Sequence, residues 1–465
     1  MQPWSCNLGH VVLQSTSGGC RPCATGAEHY IREMTEQYDA IVIGAGIMGA
    51  SISLELSRSS HRVLCVDGGP AVGAGSTSSS SAVIRFNYST YDSILTAWES
   101  GHRWKNFAQH LGAVDPDGIV SYVETGCLAL DTPGDNRQTV TALFRELGIP
   151  YVDLNGKEIQ QKFPALESGD FYPPRPVDDE RFAAEPTKDI GGYYTDEGGF
   201  VDDPMRAAQN FMHAAREHGT TVLLNSMVTA IRRAGGAVQG ITLASGEQIN
   251  APVVVNVGGP AAASLNKLAG VAEEMNIQSR PLRQEVHVVQ APANWTPDLG
   301  SLVSDPGVGV YFRPGLAGTL LIGSTEPDCD ELQWVSDHTD YLDTPTPELF
   351  EAQVLRTARR LRELRIPLAP VGLAALYDAS DDWAPLYDKT SVDGYFMACG
   401  TSGNQFKNAP LVGTFLAALI DAGAQGHDHD QDPVTVTGDL TGREINLAAF
   451  SRLREKSSTT NSVLG

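Results

Sequence analysis

Apolar residues in this chain follow two patterns. Short β-branched runs end on glycine or a polar residue, and longer stretches repeat their apolar positions every three or four residues; the first pattern predicts buried strands and the second helices. The clearest case lies at residues 38–67. The run YDAIVI predicts a strand, SISLELSRS a helix and RVLCV a second strand ending on Asp67. Further on, Asp202 or Asp203, then Pro204, then Gly219 bracket a helix with a cap, a first-turn proline and a stop. Residues 221–250 alternate as short strands with glycine turns, and 251–265 form a buried strand running into small residues. A helical segment is predicted from Ile94 to Leu111, a strand-rich stretch from Glu285 to Thr325, and a helix from about Pro347 to Leu364. The last clear unit, residues 394–423, reads as strand, glycine turn and helix. The proline- and acid-rich stretch PPRPVDDERFAAEP reads as a surface insertion.

Between the first strand and its helix stands GAGIMG, with Gly44, Gly46 and Gly49 at GxGxxG spacing. The three glycines serve different ends. Gly44 allows the tight turn, Gly46 close backbone approach to a pyrophosphate, and Gly49 close helix–strand packing. The helix N-terminus, which includes Ile47 and Met48, offers free N–H groups to phosphate. Asp67 stands where a carboxylate accepts hydrogen bonds from an adenosine ribose. Together these elements predict a bound dinucleotide.

A length of 465 residues predicts more than one domain. The balance of 33 basic and 56 acidic residues leaves a net charge of −23, which argues against nucleic acid and anionic membranes as partners. No apolar run is long enough to span a membrane, and a cytoplasmic location is expected. Seven cysteines in so long a chain do not suggest a disulfide framework. Cys65, Cys127, Cys329 and Cys399 read as buried thiols. Cys6, His10, Cys20 and Cys23 have a zinc-like spacing but little apolar sequence around them, and residues 1–33 read as a disordered extension. His427 to Asp430 (HDHD) reads as a solvated loop, and no metal is expected. Glu285 and His287, two apart on a strand, share one face; a structural pair is favoured over a pocket role.

Five motifs in order extend the pattern: GAGIMG with Asp67; SSSSAVIRFNY; VVVNVGGPAA; VYFRPGLAGTLLIGST; and GYFMACGTSGNQFKNAP. On these motifs the chain resembles the FAD-dependent D-amino-acid oxidase family over roughly residues 36–425, with sarcosine oxidase (including its beta subunit), glycine oxidase and D-amino-acid dehydrogenase as the nearest types. The resemblance implies an α/β fold in which a Rossmann-like FAD-binding domain is interleaved with an α+β, antiparallel-sheet substrate domain. Expected boundaries are 34–94, 186–270 and 370–425 for the FAD-binding parts, 95–185 and 271–369 for the substrate parts, and 426–465 for a C-terminal tail.

The resemblance also implies roles. Arg85 matches an arginine that grips a substrate carboxylate, Tyr311 a tyrosine over the substrate pocket, and Lys407 a lysine beside the pyrimidine side of the flavin. A cation there, next to a helix N-terminus, suits the negative charge that builds on reduction. Besides the glycine motif and Asp67, FAD contacts are expected from Ser76, Thr77, Ser80, Ser81, Val228, Gly258, Gly259, Gly400, Gly403, Asn404, Phe406 and Lys407. Three departures stand out. Ala375 occupies the position of a flavin-linked cysteine, so non-covalent FAD is expected; Leu321 replaces an oxygen-activating lysine, and about Thr325 a pocket histidine. The expected activity is oxidation of the C–N bond of a small carboxylate-bearing amine, with oxygen or a redox partner as electron acceptor. Two alternatives stay open: a 2-hydroxy-acid dehydrogenase on the same fold, and the flavin-bearing subunit of a hetero-oligomeric amine dehydrogenase.

Overall fold

The computed structural model describes residues 38–460 and 462–464. The expectations for residues 1–33, including the zinc-like spacing, lie outside the described residues.

The β-branched runs pair as predicted, into a six-stranded sheet. Its order is Leu386–Lys389, Tyr395–Cys399, Val253–Asn256, Ala40–Ile43, Val63–Val66, Thr221–Leu223. All neighbours are parallel except the first pair. Central strands of a parallel sheet are covered on both faces, which explains why VLCV, VVVN and YFMAC are apolar almost throughout and largely buried. Helices Ile47–Arg58, Pro204–Glu217 and Ala409–Ala424 cover one face. The first and last approach closely: a Cβ on Gly413 would stand 2.7 Å from the Ser51 carbonyl oxygen, and the Ser51 hydroxyl donates to the Ala409 carbonyl at 2.5 Å. The second is capped as predicted, by the Asp203 side chain accepting from the Arg206 N–H at 2.9 Å, with Pro204 in its first turn.

A nine-stranded sheet forms the other layer. Its path runs Gln333–Trp334, Ser279–Gln290, Thr319–Ser324, Val310–Pro314, Leu302–Asp305, Cys127–Leu130, Gly192–Thr195, Val152–Leu154, with Gly372–Ser380 paired to Ser279–Gln290. Only Leu302–Asp305 and Cys127–Leu130 run parallel. A separate core under helix Pro347–Arg360, with Trp295, Phe312 and Phe350, buries its outer face. The α/β architecture with an antiparallel substrate sheet is therefore present. Two strands cross the boundaries read from sequence: Gly192–Thr195 and Gly372–Ser380 pair into the nine-stranded sheet, because their hydrogen-bond partners lie there.

The segment after residue 425 departs from the sequence reading. It packs on the body through a small hairpin, Thr435–Thr437 with Glu444–Asn446, and a buried ion cluster. Arg452, 3% exposed, reaches Glu274 at 3.1 Å, Asp388 at 3.1 Å and Asp430 at 2.9 Å. His429 sits beside this cluster and is buried, whereas Asp428 stays exposed, so HDHD is a solvated loop only in part. Arg452 and Asp388 are paired inside the protein, and Glu274 and Asp430 close the cluster at its edge. No helix among the described residues is long and apolar enough to cross a membrane.

Candidate active site

The site begins at the carboxyl end of the parallel sheet, where the strands Ala40–Ile43, Val63–Val66 and Val253–Asn256 deliver their loops. Gly44 has a φ of +118°, and a Cβ there would meet the Val257 carbonyl oxygen at 2.2 Å. A Cβ on Gly49 would meet the Gly44 oxygen at 1.8 Å, so the helix sits against the turn only because Gly49 lacks a side chain. Gly46 differs: a Cβ would meet nothing nearer than the Thr77 hydroxyl at 3.1 Å, and the residue faces the cavity. The three glycines thus divide into two that pack and one that presents backbone.

The first turn of Ile47–Arg58 has N–H groups without intrahelical acceptors. One of them, on Ile47, donates to Thr77 Oγ1 at 3.0 Å. Thr77 belongs to the serine-rich loop, which therefore folds onto the helix end. Asp67 closes the loop from the other side, accepting from the Ala45 N–H at 2.6 Å and the Gly69 N–H at 2.6 Å.

From here one continuous cavity runs to the nine-stranded sheet. Of the residues expected at the cofactor, Gly44, Gly46, Ile47, Met48, Gly49, Asp67, Ser76, Thr77, Ser80, Ser81, Gly258, Gly259, Gly403, Asn404, Phe406 and Lys407 line it. Val228 and Gly400 do not: Val228 packs in the core beside Ile231 and Leu243, and Gly400 turns the chain behind the lining with a φ of +63°. The serines are held in place rather than free. Ser76 donates to the Leu376 carbonyl at 2.7 Å, Ser80 accepts from the Ala82 N–H at 3.0 Å, and Ser81 shares a 2.9 Å bond with the Tyr311 hydroxyl.

Arg85, Tyr311 and Lys407 line the same cavity. Arg85 is 5% exposed, Lys407 2%. Both stand over Tyr88, each cation 4.9 Å from its ring centroid. Arg85 donates to the Asn87 carbonyl at 2.5 Å and the Val463 carbonyl at 2.6 Å. Lys407 donates to the Asn404 carbonyl. Burial, with Arg85 adding to it, holds the Lys407 ammonium well below the ordinary lysine range. A cation costs much to bury alone, so this lysine suits a cavity that receives a polar, electron-rich group. Trp104 fixes its backbone by donating to the Lys407 carbonyl at 2.8 Å and stacks on Phe406 at 5.4 Å.

The fit to FAD rests on these observations: an open glycine at a helix N-terminus, an acid at the end of the second strand, and buried cations lining the same cavity. Sequence reasoning missed part of the lining. Asp378 lines the cavity with a carboxyl pushed up to about 6 by burial, and it accepts from the Gly400 N–H at 2.5 Å. Tyr377 stands under Gly403, where a Cβ would strike its ring. Val463 and Leu464 also face the cavity, and nothing in the polar sequence before them signals it. Glu285 and His287 lie outside. Glu285 takes Arg283 at 2.7 Å and the Thr346 N–H at 2.9 Å, at the start of helix Pro347–Arg360, so it is structural. Among the described residues no cluster of ligating side chains suits a metal ion. Burial pushes the Cys65 and Cys127 thiols up to about 12, so neither is poised as a nucleophile.

The chain matches the family model for FAD dependent oxidoreductase (DAO) over residues 39–419. It is similar to the FAD-dependent oxidoreductase domain-containing protein 1 of Xenopus laevis, 25% identical over 428 residues that cover 83% of this chain and 79% of the relative. It is also similar to the sarcosine oxidase subunit beta of Rhodobacter capsulatus, 24% identical over 408 residues, 84% of this chain and 86% of the relative. Its fold matches the crystal structure of L-proline dehydrogenase from P. horikoshii with a TM-score of 0.68 at 21% identity, over 84% of this chain and 95% of the other. The dinucleotide cradle, the two-sheet architecture and the family match agree: this chain belongs to the DAO family of FAD-dependent oxidoreductases.

Proposed function

We propose that the protein oxidises the C–N bond of a small carboxylate-bearing amine, an amino acid or N-alkyl amino acid, with FAD held non-covalently. The observation that carries this reading is Arg85: a buried guanidinium lining the cavity, with two N–H groups already bonded to carbonyl oxygens. That fork matches a carboxylate, and charge-assisted bonds of this kind contribute about 1.5–3 kcal/mol each.

FAD, when bound, supplies the two-electron acceptor. Gly46 and the helix N-terminus would hold its pyrophosphate, Asp67 its ribose, and Lys407 the electron-rich end of its ring system. Arg85 orients the substrate by its carboxylate. Tyr311, fixed by Ser81, walls the pocket. Ala375 lines the cavity as a methyl group and offers no atom for a covalent link, which supports non-covalent binding.

The sarcosine oxidase subunits and the glycine oxidase among the similar proteins support an amine rather than a 2-hydroxy acid. The same likeness supports a second reading, in which the chain is the flavin-bearing member of a hetero-oligomer and passes electrons to a partner. The test is an anaerobic screen of the FAD-loaded protein with amino acids, N-methyl amino acids and 2-hydroxy acids. Loss of the yellow absorbance with an amine is the expected result. Bleaching by hydroxy acids alone overturns the reading.

A further inference from the structure

Arg85 does not face an open anchor point. The Val463 carbonyl occupies it, at 2.6 Å. The chain before Val463 is tied to the body at Arg454 and Thr459. Arg454 pairs with Asp382 at 2.8 Å, Ser89 donates to Thr459 Oγ1 at 2.8 Å, and Asn136 donates to the Thr459 carbonyl at 2.9 Å. The other end of the same Val463 residue has a partner too. Its N–H donates to Glu326 Oε2 at 3.0 Å.

One residue therefore spans a cation and a carboxylate. It meets the cation with its carbonyl oxygen and the carboxylate with its nitrogen. The atoms N–Cα–C=O of a peptide unit are also the framework of an α-amino acid. An α-amino acid placed the same way would set its carboxylate on Arg85 and its amine on Glu326.

Glu326 is built for more than a tether. Its other oxygen, Oε1, is shielded from solvent and has no hydrogen-bond partner. Its backbone is left-handed, with a φ of +53°, a strained conformation for a non-glycine residue and one that clusters at ligand sites. Ser324 Oγ accepts its N–H at 2.9 Å and holds the turn. Burial pushes the carboxyl up to about 8, although the Val463 N–H and the Arg85 cation both favour its charged form.

Resting on the reading of Arg85 as the carboxylate anchor, we propose that Glu326 is the amine-recognising residue of the substrate site, and that Val463 holds both places until substrate displaces it. This assigns the substrate class more narrowly: carboxylate and amine on one carbon, with the amine carrying N–H.

Calorimetric titration of the full-length, FAD-loaded protein tests it with matched pairs of ligands. One pair is 2-aminoisobutyrate, which has no hydrogen on its α-carbon to lose, and pivalate, in which a methyl group replaces the amine. Glycine and acetate, under anaerobic conditions, form a smaller pair. Wild type is expected to prefer the amine-bearing member. Glu326→Gln should weaken that member roughly 10- to 100-fold and the amine-free member by less than about threefold, the loss expected for one charged hydrogen bond. Arg85→Ala should weaken both members. Equal effects of Glu326→Gln on both, or no effect, overturn the proposal. An Arg85→Ala protein that binds both normally overturns the anchor reading instead. Val463→Pro, which lacks the competing N–H, gives an independent check with Glu326 intact. Amine-bearing ligands should bind it about two- to tenfold tighter, and unchanged affinity removes Val463 from the site.

Discussion

The glycine motif makes a separable prediction. Gly46 and Gly49 lie three residues apart in the same turn, yet an added methyl meets different surroundings. At Gly49 it would stand 1.8 Å from the Gly44 carbonyl oxygen, a backbone atom with no freedom to retreat. The helix must then move off the sheet, and overpacking of this kind costs about 1–3 kcal/mol, more where backbone has to shift. At Gly46 the methyl meets only the Thr77 hydroxyl at 3.1 Å and otherwise enters the cavity. Glycine and alanine at a helix N-cap differ by only a few tenths of a kcal/mol to about 1 kcal/mol, so the apoprotein should lose little. The methyl would, however, stand where the pyrophosphate must approach. Losing one or two phosphate contacts of about 1.5–3 kcal/mol each lowers FAD affinity at least 10- to 100-fold. Urea denaturation of the apoproteins and FAD titration by flavin fluorescence read the two effects separately. Gly49→Ala is expected to fail in the first assay, and Gly46→Ala in the second only. Equal destabilisation of both apoproteins, or wild-type FAD affinity in Gly46→Ala, refutes this division of labour.

Other expectations follow from the same geometry. Arg85→Lys keeps the charge but not the fork, so binding of small carboxylates should fall about 10-fold or more with FAD content unchanged, measured by spectral titration. Burial lowers the Lys407 ammonium below the ordinary 10.5. Between its folded value and 10.5 the unfolded chain binds more protons, so its contribution to apoprotein stability rises with pH. The stability of wild type relative to Lys407→Met, measured by denaturation from about pH 7 to 9, should therefore increase; a flat difference contradicts a depressed lysine. Arg452→Met removes the cation beside the buried Asp388 carboxylate, while Asp430 keeps Lys389 at 3.0 Å, and should cost about 3–5 kcal/mol in chemical unfolding.

The legible parts of this protein are those with local signatures. The cradle of Gly44, Gly46, Gly49 and Asp67 is written in one short stretch of chain because one turn, one helix end and one strand build it. The capped helix at Pro204 is legible for the same reason. Lys407, Arg85 and Tyr311 need the family resemblance, since they come from three distant segments and meet only after folding. The segment after residue 425 escapes both kinds of reading. Its charges look solvated in sequence, but Arg452 finds Asp388 and Glu274 from distant stretches and makes a buried network. The pairing of Val463 with Glu326 is invisible for the same reason: they stand 137 positions apart, joined by a backbone N–H that carries no sequence signal. Strand Gly372–Ser380 falls on the wrong side of the expected boundary because its alternation suits either sheet; only the register with Ser279–Gln290 decides it.

The most direct test of the account is titration of the purified apoprotein with FAD. One FAD per chain is expected, quenching the flavin fluorescence on binding and leaving in full after acid precipitation. A chain that stays colourless in excess FAD, or that releases nothing to acid while remaining yellow, contradicts the cavity as a non-covalent flavin site.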